Sequence, residues 1–143
     1  MIYILVPTFA RIKDTENFLS SIHKCIDKDY LILIMDDHPD KVTFKSIQQN
    51  KHVKVLSSEK ELWWVGSINL GIKTLFDNYG LKDDDIVVFA NNDVQINRDS
   101  FNLLCSELSD RETQIVHPRT FDQDKLEVSS GAKILSLFPY ITS

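Results

Sequence analysis

Residues 86–94, Ile-Val-Val-Phe-Ala-Asn-Asn-Asp-Val, carry the reading that decides the fold. The β-branched and aromatic run from Ile86 to Phe89 reads as a strand buried on both faces. Polarity changes at once at Asn91-Asn92-Asp93, so the Asp93 carboxylate stands at the strand's carboxyl end. In open α/β sheets, ligands bind outside the carboxyl ends of the strands. A hard oxygen ligand there, flanked by two amides, suits a divalent metal, Mn2+ or Mg2+, carrying a phosphorylated substrate.

Working outward, strands and helices alternate. The apolar 2–7 is a first, central strand, and a helix over 14–27 follows with Asp14 as N-cap. A second buried strand at 30–37 ends in Asp36-Asp37. A helix over 40–50 and a short strand at 52–57 complete the next unit. A third helix, 66–79, closes at Gly80 in the left-handed position with Leu81 packing back. After the strand of Asp93 come a helix near 98–109, capped by Asn97, and a strand at 113–118. This alternation predicts parallel pairing through right-handed crossovers. Function should then collect in the loops after the first, second and fourth strands.

The 143 residues suffice for one domain with a proper core. A net charge of −5 argues against nucleic acid as a partner, since phosphate neutralisation needs a basic surface. No apolar run approaches membrane-spanning length, and the first residues lack the pattern of a signal peptide. The expected compartment is the cytoplasm, with room for peripheral association at the inner face of the membrane. Cys25 and Cys105 share helical faces with apolar residues and read as reduced core fillers. The stretch at 134–141, ILSLFPYI, is apolar without an evident partner. Two readings stand: a final element packing on the sheet, or a natural protein that continues, of which 1–143 is the N-terminal part.

Three strand ends stand out together: Pro7-Thr8-Phe9-Ala10-Arg11, Asp36-Asp37 and Asn91-Asn92-Asp93, with ELWWVGSINLGIKTL (61–75) between the last two. In order and spacing this set resembles the N-terminal, nucleotide-sugar-binding part of a family-2 glycosyltransferase over residues 2 to about 135. That family has a first strand ending in Pro-x-aromatic-Asn-Arg, a second ending in Asp-Asp, a Gly-x-x-Asn-x-Gly helix start and an Asp-x-Asp-type metal motif. The resemblance implies a GT-A fold, a Rossmann-like α/β/α sandwich with a mostly parallel central sheet. It also implies a nucleotide-diphosphate sugar donor, a divalent metal, and inverting transfer to a hydroxyl of a saccharide or lipid-linked saccharide. Leu62-Trp63-Trp64 is similar to a segment of rhamnosyltransferase-like members.

The resemblance assigns roles residue by residue. Pro7, Thr8, Phe9 and Arg11 belong to a loop wrapping base and ribose, with Arg11 reaching phosphate. The plainer reading of Arg11 is a surface salt bridge with Asp14 or Glu16. Asp37 would accept a ring N–H of the base, as a group that only accepts can; otherwise the doublet is a solvated strand end, or one member caps the next helix. Gly66 and Asn69 mark the third helix, where small residues let backbone approach a phosphate or another segment. Asn69 is expected to reach the loop after the first strand. Of Trp63 and Trp64, one is expected in the core and one at the site. Asn91 and Asn92 accompany Asp93, the metal ligand; the bland alternative is an Asn-Asn-Asp turn. Asn91 departs from the family pattern by standing where its first Asp would be, and Ala10 by replacing an Asn.

A general base is missing from this reading. Asp122, Asp124 and Glu127 sit in no motif, so the catalytic residue is unassigned. Two rivals remain: a sugar-nucleotide nucleotidyltransferase, disfavoured because VPTFARIK contains no glycine, and a catalytically inactive nucleotide-sugar-binding or regulatory module. No Gly-x-Gly-x-x-Gly follows any strand, which excludes the common dinucleotide oxidoreductases.

Overall fold

Strand alternation survives in the computed structural model, which describes residues 1–108, 115–122 and 124–129. The elements are β1 (Ile2–Thr8), α1 (Ile12–Ile22), β2 (Tyr30–Asp36), α2 (Val42–Ser46), β3 (Val53–Ser57), α3 (Trp63–Thr74), β4 (Ile86–Phe89), α4 (Arg98–Glu107), β5 (Thr120–Phe121) and β6 (Glu127–Ser129). The chain divides into two compact units, Met1–Phe101 and Asn102–Ser143. The first contains a four-stranded sheet in the order β3-β2-β1-β4, parallel throughout. It is a mixed α/β fold of the Rossmann-like kind expected of a GT-A domain. In the second, β5 and β6 pair antiparallel across a turn in which Asp122 accepts the backbone N–H groups of Asp124 and Leu126.

Side-chain alternation places Tyr3, Leu5, Leu31, Leu33 and Met35 on one face of the sheet, where Ile68 and Leu75 join them in a single buried cluster. The alternate set, Ile4, Val6, Ile32 and Ile34, is fully excluded from water as well. Burial on both faces is the mark of a parallel sheet covered by helices. Gly71 lets α3 lie close to the sheet: a Cβ there would meet Leu5 Cδ1 and Met35 Sδ at 3.1 Å. Gly80, at φ 62°, ends the helix as its sequence promises, after a π-helical turn over Leu75–Tyr79.

Strand order reverses next to β1. The chain steps outward from β1 to β2 to β3, then returns through α3 to β4 on the far side of β1. That reversal makes the carboxyl edge between β1 and β4 the topological switch point, where open α/β sheets hold ligands. Pro7 helps to open it. The Leu5 carbonyl faces β4, accepting Ala90 N–H at 3.0 Å, and the Thr8 carbonyl faces β2, accepting Asp37 N–H at 3.0 Å. By alternation Pro7 faces β4, and having no N–H it cannot extend that ladder, whose last pair is Leu5 with Phe89.

Several expectations need correction. β4 is not buried on both faces: Ile86 to Val88 are half-buried and Phe89 is exposed, because among the described residues β4 pairs only with β1. Helix α1 starts at Ile12, with Arg11 rather than Asp14 as N-cap. It ends at Ile22, where tight bonds from Lys24 to Ser21 and from Cys25 to Ile22 turn the chain. Helix α2 is shorter than 40–50. Gln49 and Asn50 downstream capture the backbone N–H groups of Val55, His52 and Val53, competing with helix. Helix α3 begins three residues early, at Trp63. Residues 115–118 are not a strand, and pairing occurs instead at Thr120–Phe121; 113–114 and the apolar 134–141 lie outside the described residues.

At the opposite, amino edge, Asp85 accepts Lys82 N–H at 2.9 Å and pairs with the Met1 amino group at 3.0 Å. The backbone hydrogen bond from Lys82 and the nearby positive charge hold its carboxyl below the usual carboxylate range. A folded-state value below the unfolded one, about 3.9, stabilises the fold above about pH 4 and ceases to do so as pH falls through the lowered value. Asp85→Asn should therefore melt below the wild type at about pH 7, and the difference should narrow as the solution is acidified below about pH 4. Thermal melts across that range check it.

Candidate active site at the carboxyl rim

Three buried polar residues draw the rim together. Asn92 Nδ2 lies 3.0 Å from Thr15 Oγ1, 3.2 Å from Thr8 Oγ1 and 3.4 Å from the Arg11 carbonyl oxygen. Thr15 Oγ1 in turn donates to the Arg11 carbonyl at 2.8 Å. All three side chains are at most 5% exposed, so these bonds form where water cannot replace them. This clamp fixes the end of β1, the start of α1 and the segment after β4 against one another. Thr8 and Asn92 are thus turned inward, their polar groups on each other rather than on the rim surface. Thr15 did not figure among the expected residues. Its signal is a hydroxyl on the same helical face as Phe18 and Ile22, a position that demands a partner.

On the clamp's outer side stands Arg11. Its Nε donates to Asp14 Oδ2 and its Nη1 to Asp93 Oδ2, each at 2.8 Å. The plainer expectation, a salt bridge to Asp14, forms here, and Asp93, which the sequence did not connect with Arg11, meets the same guanidinium. Hydrogen bonding to Asp93, then the charge of Asp14, raises the Arg11 pKa above its ordinary value. A shallow cleft beside it is lined by Asp14, Asn17, Asn92, Asp93, Val94 and Gln95.

Asp36 and Asp37 separate cleanly. Asp36 is buried, accepting His38 N–H at 3.2 Å and, from the first turn of α2, Phe44 N–H at 2.8 Å, while Lys41 holds the N-cap position. Asp37 is half-buried and accepts Leu62 N–H at 2.6 Å and Trp63 N–H at 2.7 Å, one on each oxygen. A carboxylate at the start of α3 answers the helix's positive end. With about four lone-pair sites, it retains capacity for another donor. Trp63 is held at φ 56°, unusual for a bulky side chain.

Neither tryptophan is core: Trp63 is 72% and Trp64 50% exposed. Both sit in the first turn of α3. Trp64 Nε1 donates to Asn91 Oδ1 at 3.1 Å. Hydrogen bonds join Asp37 to Trp63, Trp64 to Asn91 and Arg11 to Asp93 along the rim, and the chain itself links Trp63 to Trp64 and Asn91 to Asp93. Phe9 is exposed with its ring 4.8 Å from His38, beside Asp37 in the sequence. Gly66 has a local reason, since a Cβ there would meet Leu62 Cβ at 2.9 Å. Asn69 is exposed and, among the described residues, makes no hydrogen bond to the loop after β1. Pro7 is half-buried at the end of its ladder.

The described residues contain no group of three or more Cys, His, Asp or Glu side chains placed to hold a metal. They do contain two carboxylates, Asp14 and Asp93, converging on one cation, the guanidinium. A magnesium-like ion uses one or two carboxylates and completes its shell with substrate phosphates and water. The donor set fits a substrate-borne cation rather than a protein-caged one.

Comparison with known proteins gives one finding. The family described as Glycosyl transferase family 2 matches residues 3–135, a span containing all of the four-stranded sheet but Ile2 and every rim residue named above. No curated protein matches the chain.

Two substitutions test the rim's construction. Asn92→Ala leaves the Thr8 and Thr15 hydroxyls without their shared donor and should lower stability by about 1–3 kcal/mol in urea titration. Ala10 sits at φ 53°, a conformation disfavoured for alanine and better tolerated by asparagine or glycine. Ala10→Gly should raise stability by about 0.5 kcal/mol, the relief partly offset by a freer unfolded chain.

Proposed function

The chain belongs to glycosyl transferase family 2, and from that premise we propose that its β1/β4 rim binds the diphosphate of a nucleotide-sugar donor. Family membership makes it a glycosyltransferase of the general kind, acting on a nucleotide-sugar donor and an acceptor. The observation that carries the finer reading is the meeting of Arg11, Asp14 and Asp93 at the switch point. A group rich in both negative and positive charge, placed where such sheets hold ligands, suits a cation-bridged diphosphate.

In this reading Asp93, with Asp14 beside it, holds Mn2+ or Mg2+ together with the donor phosphates. A cation so placed would neutralise the charge that builds on the leaving diphosphate. Phe9 offers a ring to the base, and Asp37 a remaining lone pair to a base N–H. Asn91, oriented by Trp64, lines the rim between them. Thr8, Asn92 and Thr15 position these groups from beneath. The exposed faces of Trp63 and Trp64 suit a sugar ring, in keeping with a rhamnosyltransferase-like member.

Transfer would be inverting, by direct attack of an acceptor hydroxyl, and such attack requires a general base near that hydroxyl. The downstream acids are engaged locally: Asp122 in its turn and Glu127 with Arg119. Among the described residues no helix is long and apolar enough to cross a membrane. A saccharide or lipid-linked saccharide acceptor, reached from the membrane face, is the acceptor we propose.

Thermal shift with UDP, dTDP and GDP, each with and without MnCl2, tests the reading. One nucleotide should stabilise the chain in the presence of Mn2+, by about 2.7 kcal/mol at a hundredfold excess over its Kd. Asp93→Asn should lose the Mn2+-dependent part while keeping the wild-type fold. Silence from all three nucleotides would sink the proposal. Nucleotide binding without hydrolysis of the cognate donor in Mn2+ would favour an inactive binding module, a reading the single carboxylate of Asn91-Asn92-Asp93 supports.

A further inference from the structure

We infer that Arg11 exchanges partners during donor binding: its guanidinium bridges Asp14 and Asp93 in the free protein and passes to the donor diphosphate when a divalent cation takes those carboxylates. The inference rests on the nucleotide-sugar reading above and adds to it a competition between a side chain and a metal. Its basis is geometric. The same Oδ2 of Asp93 that a cation would need is occupied by Arg11 Nη1 at 2.8 Å, and Asp14 Oδ2 is occupied by Nε at 2.8 Å.

Arg11 is built to move at one end only. Its backbone carbonyl is held by Thr15 N–H at 3.0 Å, by Thr15 Oγ1 at 2.8 Å and by Asn92 Nδ2 at 3.4 Å. Its side chain is 51% exposed, and Asp14 and Asp93 are 40% and 44% exposed. Ion pairs this open are weak, so they are readily exchanged. Without the guanidinium, two facing carboxylates would repel an incoming diphosphate. With it, one positive charge is set against the two carboxylates, and that repulsion is reduced. Once a cation takes the carboxylates, the guanidinium's fork is released beside the anion it matches best. Cation and diphosphate therefore favour each other's binding through one side chain.

Isothermal titration of the 143-residue chain with MnCl2 alone, and with UDP, dTDP and GDP in saturating MnCl2, tests the exchange in wild type, Arg11→Ala and Arg11→Lys. The backbone bonds of residue 11 do not depend on its side chain, so both variants should fold. Removing the competitor should let Arg11→Ala bind Mn2+ alone about threefold tighter, while the nucleotide that binds wild type binds about tenfold more weakly. Arg11→Lys, charged but unable to bridge both carboxylates, should fall between. Unchanged or weaker Mn2+ binding by Arg11→Ala overturns the exchange, as does unchanged nucleotide binding. A wild type that binds nucleotide but no Mn2+ overturns the exchange and leaves the donor reading standing. A wild type that binds Mn2+ and none of the three nucleotides overturns both.

Discussion

A single side-chain amide, that of Asn92, sits where three chain segments meet, and the rim's geometry depends on it. β1 delivers Thr8, α1 delivers Thr15 and the Arg11 carbonyl, and the segment after β4 delivers the amide itself. Thr8 and Thr15 are only seven residues apart along the chain, whereas Asn92 lies 84 and 77 positions from them, so the amide is what ties the β4 end to the other two. Because the three side chains are buried, each hydrogen bond has no solvent substitute, and the arrangement is all or nothing. Arg11 faces Asp93 because Thr8, Thr15 and Asn92 face one another one layer below.

The parallel sheet supplies the frame for this clamp. With every strand running the same way, each strand end lies at one rim, and polar residues that end strands become neighbours. Asp36 and Asp37 show how the same edge serves two purposes. Adjacent residues alternate sides, so one carboxylate goes inward to a first-turn N–H of α2 and the other goes to the first turn of α3. The second of these joins the rim to α3, and Trp64 joins α3 to Asn91. Arg11 bridges the two exposed carboxylates of the rim, Asp14 and Asp93, and offsets part of their charge.

Much of this was legible from residue order. Buried runs such as Tyr30–Met35 and the carboxylates that follow them announce strand ends, and Gly80 announces a helix end. Arg11 could be assigned either to Asp14 or to a ligand, yet its contact with Asp93 spans 82 positions and leaves no local trace. The tryptophans misled for a related reason. An aromatic pair in a helix reads as half core by frequency, but exposure depends on which layer lies overhead. Likewise the apolar character of Ile86–Phe89 announces a strand, while its burial depends on the neighbours the sheet provides.

What the sequence determined by itself was the class of fold, the parallel order of its elements and the rim on which polar groups gather. Local periodicity and strand-end chemistry encode these directly, since each needs only neighbours within a dozen residues. Only the tertiary structure decided which of those polar groups face solvent and which face each other. Thr8 and Asn92 turned inward, Asp37 took two backbone N–H groups, and Asp93 met a guanidinium. Those outcomes turn on distances between segments far apart in the chain, and such distances are fixed by packing, which sequence spacing does not carry.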